Sequence, residues 1–343
     1  MLLSSLVEVM PTLDSGAHLI LALALVFAAA KLGGEVAERL RQPAVLGELL
    51  AGVLLGNLDL VGVGWFRGLT TDQALNGLAE VGVVLLLFEV GLESTIGEMK
   101  RVGRRAFWVA VLGVFTPWML GYGVGVLFLP SESRYAHLFL GAILTATSVG
   151  ITARVLRDLG RSQTAEARII LGAAVIDDVL GLVSLAIVAS LIQAANQGTS
   201  VSTGSVLWVI VKAALFLGAA LWVGNKVSPQ LFGLAARLRG PGALLVTGLV
   251  FCLVLSAIAA VVGLAPIVGA YSAGLALERV HYEAFVLRGE QELEELVRPL
   301  TSLLAPVFFV MMGLKVQLHG LGDPRHLGLA LVLIAAAILG KQA

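Results

Sequence analysis

Two adjacent acids stand in the middle of a long apolar run, Gly172-Ala-Ala-Val-Ile-Asp-Asp-Val-Leu-Gly181. An ionisable side chain in lipid is costly, so one placed inside such a run points to function. Neighbouring residues on a helix point about 100° apart. Asp177 and Asp178 therefore face different places: one can line a water-filled cavity while the other turns toward a partner. Buried, closely spaced carboxylates hold protons more tightly than exposed ones, which suits groups that trade a proton for a cation. Lys341 is the natural partner, because it follows the apolar run Leu331–Gly340 and needs a carboxylate or water nearby. A further source of oxygen atoms is Thr145-Ala-Thr147-Ser148-Val-Gly150-Ile-Thr152-Ala-Arg154. Hydroxyls and glycine in mid-span let a helix unwind, and the freed carbonyls with the Thr and Ser oxygens suit a hard cation. Glu89, inside another apolar run, fits a structural hydrogen-bonding role first and ion binding second.

The elements that hold these groups must be ones that lipid tolerates. The chain has 343 residues, of which 58% are hydrophobic and 13% charged, and its mean hydropathy is +0.95. A soluble domain is roughly 45–50% apolar and about 25% charged. A soluble enzyme, a disordered chain and a disulfide scaffold are excluded. The formal net charge is zero, so no global field attracts nucleic acid, and the one cysteine, Cys252, cannot form an internal disulfide. No phosphate loop, nucleotide motif or metal cluster is visible, so no cofactor and no enzyme activity are expected. An intramembrane aspartyl enzyme would need acids meeting from different helices, whereas these two share one. A channel-like sensor is the other reading from a different class, distinguished by ion conductance in place of coupled flux.

A spanning helix needs about 20 mostly apolar residues. Eleven segments qualify, at about 16–32, 43–60, 78–97, 105–129, 136–156, 168–193, 205–225, 241–262, 264–278, 297–315 and 326–343. Run length and the lack of period-two alternation predict helices, an all-α polytopic membrane protein. Every odd-numbered loop is basic, as with Lys100, Arg101, Arg104 and Arg105 after the third segment. The opposite face holds only Arg67, Arg134, Lys315 and Arg325. This asymmetry places the N-terminus outside the cytoplasmic membrane. Met1–Ser15 has no basic residue, so the first segment is expected to insert as a signal anchor.

The sequence also repeats itself. Pro43–Gly52 and Pro266–Gly274 share Gly, three residues and Ala-Gly after a proline, and Leu86–Glu93 resembles Phe308–Lys315. Gly52 to Gly274 and Gly91 to Gly313 have the same separation of 222 residues. The matched segments lie seven crossings apart, an odd number, so the second copy is inverted, as in secondary transporters. Carrying the first copy's end forward by that offset reaches about residue 415, so the sequence is expected to lack the counterparts of two helices, including a second Gly/Pro-interrupted one near 365–375.

With these residues placed, the chain resembles the monovalent cation:proton antiporter-2 family, in its bacterial sodium/proton antiporter branch. The resemblance rests on Gln42–Gly52, Leu86–Glu93, Thr145–Arg154, Val175–Asp178 and Gly340-Lys341, in order and along essentially the whole chain. It implies a sodium/proton antiporter fold with broken crossing helices, incomplete at the C-terminal end, and a core that moves like an elevator against a dimerisation domain. On that pattern residues 1–60 lie on the dimerisation side and 78–193 form the first-repeat core, with the broken helix at 136–156 and the acid helix at 168–193. Residues 205–278 link to the inverted repeat on the dimerisation side, and 297–343 begin the second core. Asp178 matches the principal ion- and proton-binding carboxylate, the site of Na⁺. Asp177 matches the acid that pairs with a lysine, here Lys341, and Thr147 and Ser148 match the broken region near the ion. The Asp-Asp pair resembles electrogenic members. The implied activity is exchange of H⁺ for Na⁺, with Li⁺ as a further substrate, by a homodimer in the bilayer. A K⁺/H⁺ antiporter or K⁺ efflux protein of the same family is the alternative.

Overall fold

The computed structural model describes residues 15–62, 65–92, 96–145, 147–197, 203–237, 242–277, 285, 291–319 and 324–342. Each of the eleven expected segments corresponds to helix. They are α1 (Ser15–Arg39), α2 (Ala44–Gly56), α4 (Gln73–Leu92), α5 (Ile96–Phe128), the pair α6 (Arg134–Thr145) and α7 (Val149–Asp158), and α8 (Ala165–Gln197). There follow α9 (Thr203–Ala235), α10 (Ala243–Val262), α11 (Pro266–Ala276), α12 (Leu293–Leu314) and α13 (Pro324–Gln342). A short α3 (Trp65–Leu69) and a 3-10 turn over Leu58–Val61 precede α4. Among the described residues seven helical segments, one of them α6 and α7 taken together, are long and apolar enough to cross a membrane. The outer surface is itself apolar: Val261 is 88% and Leu127 76% exposed, as on a protein whose solvent is lipid.

Lipid tails leave no hydrophobic drive between helices, so close backbone packing through small residues must hold them. The repeat glycines supply it, and they do so crosswise. A Cβ on Gly52 of α2 would lie 2.1 Å from Val310 O of α12, and one on Gly313 of α12 would lie 2.2 Å from Leu49 O of α2. One on Gly91 of α4 would lie 2.5 Å from Tyr271 O of α11, and one on Gly274 of α11 would lie 2.3 Å from Phe88 O of α4. Replacing each glycine by its counterpart 222 residues away converts one contact into the other, which is the pairing an inverted repeat requires.

Packing sorts the helices into two bundles. In one, α4 is sandwiched between α11 and α12, with α1 and α2 against α12 and α10 against α11. In the other, α5 packs on α6, α8 and α13. The long α9 touches α10 and α11 on one side and α8 on the other. The half-helix α7 lies at the seam, against α8 on one side and against α4 and α2 on the other. This grouping departs from the division drawn from the sequence. The segment placed at 78–97 is Gln73–Leu92 and packs with α11 and α12 rather than with the acid helix, and the segment placed at 297–315 joins it there. The shift of α4 also moves Glu89 from mid-helix to the last turn.

Candidate functional site

The segment expected at 136–156 is two helices. α6 stops at Thr145, whose hydroxyl turns back to donate to Ala142 O at 2.7 Å. Ser148 is extended (φ −83°, ψ 103°) and caps α7, its Oγ accepting from Ile151 N at 3.2 Å. An N-cap hydroxyl satisfies one of the donors that a helix start leaves open. The break leaves Thr145 O without an intrahelical donor, and it accepts from Lys341 Nζ at 2.8 Å.

Asp177 lies beside this break, on α8. Lys341 Nζ of α13 stands 3.1 Å from Asp177 Oδ2. Thr147 Oγ1 donates to the same carboxylate oxygen, and Lys341 Nζ donates to Thr147 Oγ1. Three helices thus converge on one oxygen atom. Gly340 lets α13 in: a Cβ there would lie 2.8 Å from Pro117 Cα of α5, so only a glycine brings Lys341 this close. Asp177 is 5% exposed, and its Oδ1 has no hydrogen-bond partner among the described residues. A cavity of about 430 Å³ adjoins it, with Thr147, Thr152, Asp177 and Lys341 on its polar wall and Val109 and Ala173 on its apolar one. A carboxylate with one oxygen tied to an ammonium and the other unpartnered can take up a proton or a small hard cation.

Of the residues singled out in the sequence, the structure brings together Asp177, Thr147 and Lys341. Ser148 is spent on capping α7. Asp178 follows Asp177 on α8, and its side chain lies outside the described residues. Glu89 is not part of this group. It is fully buried on α4, with Arg157 Nη2 of α7 at 2.8 Å from Oε2 and Arg298 Nε of α12 at 3.5 Å from Oε1. A second seam contact joins Arg154 of α7 to Glu48 of α2 at 3.3 Å. In the sequence Arg154 closes the hydroxyl-bearing stretch Thr145–Arg154, and Glu48 lies within Pro43–Gly52 of the repeat. The signal that marks Glu48 is the one used for Asp177, an acid inside a predicted span.

A polytopic helical fold with an inverted repeat, and a helix broken beside a buried acid–lysine pair, defines a secondary transporter rather than an enzyme. Residues 21–343 match the family described as sodium/hydrogen exchanger, transmembrane, and the chain belongs to that family. It is 36% identical to the high-affinity Na(+)/H(+) antiporter NhaS3 of Synechocystis sp., over 97% of this chain and 77% of the relative. It is 35% identical to the probable Na(+)/H(+) antiporter GerT of Bacillus cereus, over 89% of this chain and 76% of the relative. Among solved structures, the sodium proton antiporter MjNhaP1 of Methanocaldococcus jannaschii superimposes with a TM-score of 0.60 at 19% identity. That match covers 94% of this chain and 76% of the archaeal one, and it speaks for the fold.

Proposed function

We propose that this chain exchanges H⁺ for Na⁺, with Li⁺ as a further substrate, by competition of the ions for the carboxylates of α8. The observation that carries the reading is the convergence of Thr147 and Lys341 on Asp177 at a helix break, with Lys341 also donating to the freed Thr145 carbonyl. The names of NhaS3 and GerT as Na⁺/H⁺ antiporters support the ion pair chosen. Asp178 takes the Na⁺, and Asp177 alternates between the Lys341 ammonium and a proton. Because Na⁺ and H⁺ cannot occupy one carboxylate together, their fluxes are coupled. A proton carried on each acid for one Na⁺ makes the cycle electrogenic. No cofactor enters, since charge competition does all the work.

Alternating access follows from the two bundles: the bundle of α5, α6, α8 and α13, with α7, slides as an elevator against that of α4, α11 and α12. The exposed apolar residues Leu32, Val36, Leu50 and Leu54 of α1 and α2 suit self-association of that second bundle into a homodimer. The basic odd-numbered loops support an orientation with the N-terminus outside the cytoplasmic membrane. The test is proteoliposome flux by the full-length protein, comparing Na⁺, Li⁺ and K⁺. Asp178→Asn is expected to abolish the internal pH change on a Na⁺ pulse. A variant that still moves protons on the pulse overturns the assignment.

A further inference from the structure

A second buried carboxylate faces a cavity of its own at the seam between the bundles. Glu48, in the second turn of α2, is 4% exposed. Its Oε1 accepts from Arg154 Nη2 at 3.3 Å, while Arg154 Nε donates to Asp158 Oδ1 at 3.0 Å. One guanidinium is thus divided between two carboxylates, and Glu48 Oε2 is left without a hydrogen-bond partner among the described residues. A buried charged oxygen without a donor is costly, so a ligand that supplies positive charge there is favoured.

The cavity gives such a ligand room. It measures about 290 Å³ and is bounded by Glu48 and Arg154 with Lys31, Glu35, Glu38 and Ser302. At about 30 Å³ per water, that volume holds several waters around an ion. The three acids outnumber the two bases, so the cavity disfavours anions, and carboxylate and hydroxyl oxygens are the ligands that hard cations prefer. It lies on the side of the basic loops, where α1 ends and α2 begins. Arg154 is five residues along α7 from its first residue, Val149, about 8 Å at 1.5 Å per residue, so one half-helix joins this cavity to the break beside Asp177.

We propose that Glu48 forms a second monovalent-cation site, a waiting position in the seam cavity, at which the arriving ion displaces the Arg154 guanidinium before passing to the acids of α8. This rests on the exchange reading above. It is tested on the full-length protein with Na⁺ replacing choline at constant ionic strength. In proteoliposomes, Glu48→Gln is expected to raise the half-saturating Na⁺ on the basic-loop face at least fivefold, with less than a twofold change in maximal rate, and Glu48→Asp recovers most of the loss. Arg154→Gln removes the competing charge and lowers half-saturation several-fold. A purely structural pair would shift both variants in one direction. In detergent, Asp178→Asn keeps a Na⁺-dependent rise in Tm, which Glu48→Gln added to it removes. Half-saturation unchanged by Glu48→Gln, or no Na⁺-dependent Tm in Asp178→Asn, overturns the proposal. An Asp178→Asn variant that still exchanges overturns the earlier assignment and leaves the binding measurement intact.

Discussion

Oδ2 of Asp177 is held by Lys341 and Thr147, while Oδ1 is buried with no hydrogen-bond partner among the described residues. A proton arriving at this carboxylate must weaken the lysine contact, and its departure restores it. Replacing the acid removes that step. Asp177→Asn is therefore expected to exchange Na⁺ at a rate that no longer responds to membrane potential, because one charge fewer moves per cycle. Proteoliposomes under an imposed K⁺ diffusion potential check this, and flux as potential-dependent as that of the unaltered protein contradicts it. Asp177 and Lys341, which the structure brings together, stand out in the sequence because charges inside apolar runs are expensive. The same rule applied to the predicted span 43–60 marks Glu48. What no spacing rule yields is its partner, since Glu48 and Arg154 are 106 residues apart and meet only when α2 and α7 pack.

At the scale of helices, the glycines decide where backbones can touch. Gly313→Ala would put a Cβ 2.2 Å from Leu49 O, a backbone atom that cannot swing aside. We expect a loss of about 1–3 kcal/mol, the usual range for overpacking, seen as a lower Tm in detergent. Gly123→Ala on α5 meets nothing within 4 Å and should leave Tm unchanged or slightly raised. Equal losses from the two would contradict the crossing. The existence of the helices was readable from run length, because lipid demands long apolar segments. Their starts were less so: α4 begins at Gln73 rather than at 78, since its first turn holds the polar Gln73 and Asn76. The break between α6 and α7 was readable in its chemistry, because hydroxyls in mid-span offer substitutes for helical hydrogen bonds, and Ser148 does so for Ile151 N.

The grouping of helices into bundles was the least legible level. Repeat similarity says which helices are equivalent, not which are neighbours. The equivalent helices α4 and α12 pack on each other, whereas α2 packs on α12 and α11 on α4, so equivalence alone does not say on which side of a division α4 falls. The packing brings α7 against α4 and α2 at one seam, and the elevator movement proposed above requires sliding there. A Cβ on Gly150 of α7 would lie 3.1 Å from Val83 Cγ2 of α4, a separation at which two cysteines are within reach of a disulfide. The chain's one cysteine, Cys252, is buried on α10 and is removed as Cys252→Ala for the experiment. Oxidising a Val83→Cys, Gly150→Cys pair in that background is expected to stop exchange, and reduction to restore it, while each single variant exchanges in both conditions. If the fully cross-linked protein exchanges at the reduced protein's rate, α7 keeps its place against α4 throughout the cycle. Access to Asp177 must then alternate by movement within the bundle of α5, α6, α8 and α13 rather than by its displacement along the seam.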